Sequence, residues 1–362
     1  MNYKDFFEIE HPILQATMTH NGDWKLAAAI SEAGGLGVIM PNGGYSADWM
    51  DEQITKVKKF TSKPFSVAIF QRPRLVEKLY LENLDKIDIN SDDHKAVLSN
   101  LKYNIELSHR HLDVALDHGV KIIQALACEP QPRLVKLCKQ KKVKILTKTH
   151  SIKNNIQRAK DLGADALILK GYEAAGYIGK ESSIEQIKYV DKNILPIISS
   201  GGISTCEDIQ EHLNLGALAV QIGTRFVCAK ESSAHKKYKE IIINSREEES
   251  QVSHNFWKRG YPRPTRSIIN QKTNKYMNEY KKIINEIETG KITNEEAERL
   301  LLRLPTKENP NNGRSEKLSS SIIDGDIENG PVMIGKGINH ITEEESANEI
   351  MNKLTKNLKC MI

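Results

Sequence analysis

The chain has 362 residues, 39% of them hydrophobic and 27% charged, which suits one large α/β core with a smaller attached unit and disfavours wholesale disorder. Its net charge of +5 comes from 52 basic and 47 acidic residues that are interspersed, so no basic block marks a nucleic-acid-binding face. No stretch approaches the roughly 20 apolar residues of a membrane span, and the amino terminus carries acidic side chains where a secretory signal needs basic ones, so a cytoplasmic protein is expected.

From residue 13 onward, short β-branched runs alternate with longer helical patterns, the signature of parallel strands joined by crossover helices. The strand candidates are 13–16, 36–39, 64–68, 122–126, 144–147, 166–170, 196–199 and 218–221. Eight is the closing number of a barrel, so the expected fold is an α/β, (β/α)8 TIM barrel with a smaller, mainly helical cap region. Helical patterns fall between the strands at 24–33, 47–60, 130–141, 153–162 and 206–213. The crossover between strands three and four is oversized, and residues 71–120 read as a helical insertion with segments near 75–84 and 94–118. After the eighth strand come a helix near 232–245 and an aromatic and proline-rich irregular stretch at 253–266. Residues 271–303 follow as helices, 305–317 as a polar linker, and 342–358 as a final amphipathic helix. The expected division is therefore a barrel over 1–245, a helical cap and substrate region over 246–320, and a segment over 321–362 that returns to the barrel.

In such a barrel the active site lies at the carboxyl ends of the strands, and phosphate groups are commonly held by the loops after strands seven and eight. Strand seven runs into Ser199-Ser200-Gly201-Gly202-Ile203, followed by Ser204 or Thr205 as a helix N-cap. Strand eight runs into Gln221-Ile222-Gly223-Thr224-Arg225-Phe226. Glycines let backbone amides approach an anion closely, and a helix amino terminus adds its positive end, so the two loops together make a phosphate cradle.

Other chemistry-bearing residues read less sharply. The cysteines Cys128, Cys138, Cys206, Cys228 and Cys360 are odd in number and form no C-x-x-C pair, against both a disulfide framework and a zinc site. Cys128, beyond strand four, has no neighbour in sequence that would lower its pKa. His109 and His111 are two apart and point to different faces of one helix, so no metal site is expected. His20 follows the first strand and reads as a solvated or hydrogen-bonded loop residue.

Six segments match successive motifs of a known family: His-Pro-Ile-Leu-Gln-Ala-Thr-Met (11–18), Glu-Ala-Gly-Gly-Leu-Gly (32–37), Gly-Ala-Asp-Ala-Leu-Ile (163–168), Gly-Tyr-Glu-Ala-Ala-Gly-Tyr-Ile-Gly (171–179), Ser-Gly-Gly-Ile (200–203) and Gln-Ile-Gly-Thr-Arg-Phe (221–226). In order and spacing they resemble the nitronate monooxygenases and their flavin-dependent enoyl-acyl-carrier-protein reductase relatives, over nearly the whole chain except 71–120. The resemblance implies an FMN-dependent oxidoreductase. FMN would span the barrel mouth, its phosphate on Gly201, Gly202, Gly223 and Thr224 with Gln221 and Ile222 alongside, and its ring flanked by Ala16, Thr17 and Met18. Lys170 and Ala175, around the end of strand six, complete the implied cofactor set.

Three positions depart from the family pattern. Ala68 stands where the family usually has asparagine, and Lys170 where it usually has glutamine or glutamate. Lys170 either balances negative charge on a reduced flavin or pairs with a nearby carboxylate. Tyr177 replaces the histidine usually given acid-base or substrate-orienting work. A tyrosine, which ordinarily titrates at about 10, donates a proton or hydrogen bond better than it accepts one at neutral pH, and the alternative is that it fills the histidine's space. His150, beyond strand five, is a further candidate to substitute for that histidine. The expected reaction is oxidation of an alkyl nitronate or a similar carbanion by oxygen. The alternatives are enoyl-thioester reduction with NADH or NADPH as electron donor, a flavin-binding protein with little turnover, and a barrel that binds another phosphorylated ligand. The expected partner is thus a small-molecule or acyl-thioester substrate, without nucleic acid or membrane; a homodimer is allowed.

Overall fold

A computed structural model describes residues 2–42, 45–71, 92–126, 129–149, 155–254, 264–293, 296, 297, 300 and 320–358. Eleven strands run through them: β1 (Ile13–Gln15), β2 (Gly37–Ile39), β3 (Phe65–Phe70), β4 (Ile122–Leu126), β5 (Lys144–Thr149), β6 (Ala166–Lys170), β7 (Gly176–Tyr177), β8 (Ile197–Ser200), β9 (Ala219–Ile222), β10 (Ser250–His254) and β11 (Pro264–Ile268). Eight of these are parallel in the order β1-β9-β8-β6-β5-β4-β3-β2. The seam between β1 and β2 is closed by a bridge at Leu14 and Leu36, with the Gln15 amide donating to the Leu36 carbonyl and the Leu36 amide to Ile13, both at 2.9 Å. The result is the expected barrel, and each of the eight strand candidates lies in it.

Alternation along each strand divides the core into two layers. Leu14, Leu36, Ile122, Leu146, Ile168, Ile198 and Ala219 fill the barrel interior, where Phe6, Phe7 and Ile9 at and just beyond the helix Tyr3–Phe7 join them. Outward neighbours such as Ile13, Val220, Ile123 and Ile145 pack on the surrounding helices. Burial on both faces explains why these strands read as continuous apolar runs. Each fully buried Ile or Leu contributes about 1.5–3 kcal/mol of transfer free energy.

The second half of the segment read as an insertion is the barrel's own crossover helix. Asp92–Asp117 packs on the helix Ala47–Phe60 and on β3, with Leu112, Ala115 and Leu116 in the shared core. The candidate helix 75–84 lies outside the described residues. Residues 250–254 and 264–268 also differ from the pattern in the sequence, which shows no strand there. β10 and β11 pair antiparallel, and Thr265 and Arg266 of β11 pair with Tyr177 and Gly176 of β7. Alternation in Ser250–His254 is weak, and its register is set by β11, which no local pattern reveals. The helix Gln271–Glu288 follows. The chain then returns through residues 320–346 to the helix Ala347–Thr355, capped by Ser346, whose hydroxyl accepts from the Glu349 amide.

Candidate active site

Inward positions change chemistry at the carboxyl ends of the strands. Two residues beyond the apolar layer, and so on the same face, Ala16 follows Leu14, Lys148 follows Leu146, Lys170 follows Ile168, Ser200 follows Ile198 and Gln221 follows Ala219. These side chains line a cavity of about 230 Å³. Its rim includes Thr17, Met18, Ala175, Tyr177, Gly201, Gly202, Gly223 and Thr224, with Thr265 from β11 and Met333, Gly335 and Gly337 from the returning segment. Of the residues singled out in sequence, Ile222 turns its side chain into the core beside Ile13 and Phe226, and only its backbone is near the mouth, with its carbonyl accepting from the Ala16 amide at 2.8 Å. His150 and Cys128 lie outside the described residues.

The cradle after β8 has the backbone that glycine permits. Gly201 and Gly202 hold φ of 129° and 73°, a region that disfavours L side chains, and a Cβ on Gly202 would meet Glu173 Cβ at 2.8 Å. The helix Cys206–Asn214 starts at Thr205, but its Asp208 carboxylate already takes the Ser204 and Thr205 amides at 2.8 and 2.9 Å. The Ser204 and Thr205 amides are thus taken internally. Among the donors there for a ligand are the amides of Gly202 and Ile203, which reach no carbonyl among the described residues. Across the cradle, the Thr224 hydroxyl accepts from the Gly335 amide at 3.0 Å, which leaves its own proton to donate into the cavity.

Two cations share this cavity. Lys148 Nζ donates to Thr17 Oγ1 at 3.0 Å and Lys170 Nζ to the Ala175 carbonyl at 2.8 Å. Neither meets a carboxylate among the described residues, so the pairing considered for Lys170 is not found. Both side chains line the cavity, and their ammonium groups are enclosed by protein. Burial therefore lowers both: Lys148 to about 8, and Lys170, which also feels the Lys148 charge, to about 7. Lys148 escaped the sequence reading although a charged residue at the inward carboxyl end of a strand is a recognisable signal.

The loop after β6 is held from outside. Arg266 donates to the Tyr172 carbonyl at 3.1 Å and Ser250 Oγ at 3.2 Å, and stacks on the Tyr172 ring at 4.9 Å. The Ile178 amide donates to the Pro264 carbonyl at 3.1 Å and the Lys336 amide to Glu173 at 2.9 Å. Tyr177 is thereby carried on β7 to the cavity wall. His20 is absent from that wall: its Nδ1 meets the Asn42 side-chain amide at 2.9 Å, and burial lowers its pKa. His111 is 4% exposed and its Nε2 lies 2.8 Å from the Tyr45 carbonyl, a structural placement.

The sequence model of the nitronate monooxygenase family matches residues 2–357. The chain belongs to this family. It is accordingly an oxidoreductase. A probable nitronate monooxygenase of Staphylococcus saprophyticus is 27% identical over 292 residues, covering 75% of this chain and 79% of its own length. One of Staphylococcus aureus is 26% identical over 266 residues, covering 68% and 73%. Among solved structures, FabK from Thermotoga maritima matches with a TM-score of 0.72 and 26% identity over 98% of this chain and 94% of that one. A nitroalkane oxidase from Streptomyces ansochromogenes shares the fold, with a TM-score of 0.68 and 22% identity over 98% and 97%. Within the family frame, Ala68 is buried against Val38, Met40 and Leu126, so the position where asparagine is usual is apolar here.

Proposed function

We propose that the protein is an FMN-dependent oxidase of alkyl nitronates or similar carbanions, with oxygen as electron acceptor. The observation that carries this reading is the pairing, in one cavity, of the Gly201-Gly202 and Gly223-Thr224 loops with two lysines that lack carboxylate partners among the described residues. Such a wall suits a ligand with an anionic phosphate at one end and a group that gains negative charge at the other. FMN fits both demands, because the Gly202 cradle excludes a Cβ and the Gly202 and Ile203 amides are uncommitted. Bound there, FMN would supply the redox chemistry, accepting an electron pair from the substrate and passing it to oxygen.

The chain's own part is positioning and electrostatics. Gly201, Gly202, Gly223 and Thr224 hold the phosphate, with the Thr224 hydroxyl oriented by Gly335. Ala16, Thr17 and Met18 flank the ring, and Ala175 adjoins it. Lys170 faces the part that becomes negative on reduction. Tyr177 donates a hydrogen bond to a substrate oxygen, which does not require the deprotonated phenol. Thr265 of β11 closes part of the cavity wall.

A second reading is enoyl-thioester reduction with a nicotinamide donor, which the motif resemblance to the flavin-dependent enoyl-acyl-carrier-protein reductases leaves open. Anaerobic stopped-flow absorbance of the FMN-loaded protein, mixed separately with an alkyl nitronate, NADH and NADPH, separates the two. Bleaching by the nitronate alone is expected. Bleaching by a nicotinamide favours the reductase, and a flavin that none of the three reduces refutes both.

A further inference from the structure

We propose that an apolar lobe of the cavity holds the carbon chain of the substrate, and that the Tyr238 phenol donates a hydrogen bond there to an uncharged oxygen on that chain. The inference rests on the nitronate reading and deepens it: the substrates are nitronates that carry a keto, ester or ether oxygen along an alkyl chain.

The cavity wall divides by chemistry. The cradle loops and the two lysines supply its polar part. Val227, Tyr238 and Ile322 also line it, and with Met18 they belong to one apolar cluster. Met333, from the returning segment, joins this group through its amide, which donates to the Tyr238 phenol oxygen at 2.8 Å. Met18 flanks the ring in the proposed function, so the lobe adjoins the reacting end of the cavity. A wall of this kind gains most from covering carbon.

Tyr238, on the helix Lys236–Asn244, is the polar exception in the lobe, and it is 3% exposed. Its oxygen accepts from Met333 and keeps its own proton, which reaches no acceptor among the described residues. Burial raises the pKa of the phenol, so it stays a donor at neutral pH. A buried donor is rarely left unpaired, and the open space beside this one is the cavity. FMN as placed above does not use it. The phosphate lies on the cradle, the part that gains charge faces Lys170, and the dimethylbenzene edge that remains has no acceptor. The partner is therefore the substrate. Its acceptor is uncharged, because the lobe holds no free cation: the lysines stand on β5 and β6, and the Arg225 guanidinium is committed to Glu345.

The test reads binding without turnover. Alkanoates carry the planar, two-oxygen anionic end of a nitronate and leave the flavin oxidised. Propanoate to heptanoate are titrated into the FMN-loaded protein with flavin absorbance as the readout, followed by 4-oxopentanoate, 5-oxohexanoate and 6-oxoheptanoate. Affinity is expected to rise about two- to fourfold per methylene along the alkanoates. One of the oxo acids is expected to bind about three- to tenfold tighter than its parent chain. Tyr238→Phe keeps the ring and should abolish that preference, while FMN affinity and the alkanoate series stay within about threefold of their original values. A flat or silent alkanoate series overturns the lobe. An oxo preference that is absent at all three lengths, or unmoved by Tyr238→Phe, overturns the role of the phenol. So does a variant that loses FMN, or both ligand series alike, since Tyr238 would then be only a brace for Met333. The nitronate reading is separable: an oxo preference without anaerobic bleaching by any nitronate keeps the site and refutes the oxidation, and bleaching without the preference does the reverse.

Discussion

At the residue scale, the enclosed lysines carry an energetic cost whose pH dependence has a definite sign. The folded chain holds Lys170 at about 7 and the unfolded chain near 10.5, so between these values the unfolded state binds more protons. Stability therefore rises with pH from about 7 to 10.5, and the penalty is fully present below 7. Lys170→Met removes the charge and keeps much of the stem's volume. In the cofactor-free protein it is expected to raise stability at pH 7 by a few kcal/mol, on the order of 2–4 after allowing for relaxation. The gain should shrink towards pH 10. Urea denaturation at pH 7 and at pH 9.5 checks this, and an equal gain at both would show that Lys170 is not the group responsible. On the proposed function the same substitution should also weaken FMN binding, by removing a positive charge from the cavity wall.

At the element scale, the wall carrying Tyr177 depends on a strand pair that the sequence hides. Arg266 is 4% exposed and ties β11 to the loop through the Tyr172 carbonyl, its ring and Ser250. Arg266→Gln shortens the fork and forfeits the stack. It is expected to speed hydrogen exchange of the 172–178 amides at least about tenfold while β4, β5 and β6 keep their protection, for a loss of about 1.5–3 kcal/mol in local stability. Unchanged exchange in this loop would mean that the backbone ladder of β7 alone holds it. The barrel was legible because Ile122–Leu126 or Ala166–Lys170 are apolar runs whose meaning is local. The glycine loops were legible because 201–202 and 223–224 follow strands in register. Gly335 and the β7–β11 ladder were not, because each owes its place to a contact more than 80 residues away in sequence. Periodicity does not encode such contacts.

At the scale of the whole molecule, the returning segment holds the mouth together, and it is anchored by charge. Arg225 and Glu345 are each 7% exposed and meet at 2.7 Å, just past the cradle residue Thr224. Lys353 adds a contact to Glu345 at 2.5 Å, and Lys239 joins Glu344 at 2.8 Å while donating to the Ala229 carbonyl. The Lys230 amide donates to the Glu345 carbonyl at 2.8 Å. From this anchor the chain runs back over the cavity, where the Gly335 amide reaches Thr224 and the Lys336 amide reaches Glu173. The loops after β6 and β9 are thus bridged by one segment. A Cβ on Gly337 would lie 2.6 Å from the Gly202 carbonyl, so the fit over the cradle is close. Removing one partner of a buried pair strands the other, at a typical cost of about 3–5 kcal/mol, whereas replacing both with apolar residues is often near neutral. Glu345→Leu strands the buried Arg225 and is expected to destabilise by about that much, while Arg225→Met is expected to cost less because Lys353 still pairs with Glu345. The double variant should recover most of the loss. FMN affinity should fall in both single variants and return in the double one, because Thr224 and Gly335 regain their register. If the double variant recovers stability but not affinity, the Arg225 charge itself acts on the ligand and the segment is more than a clamp.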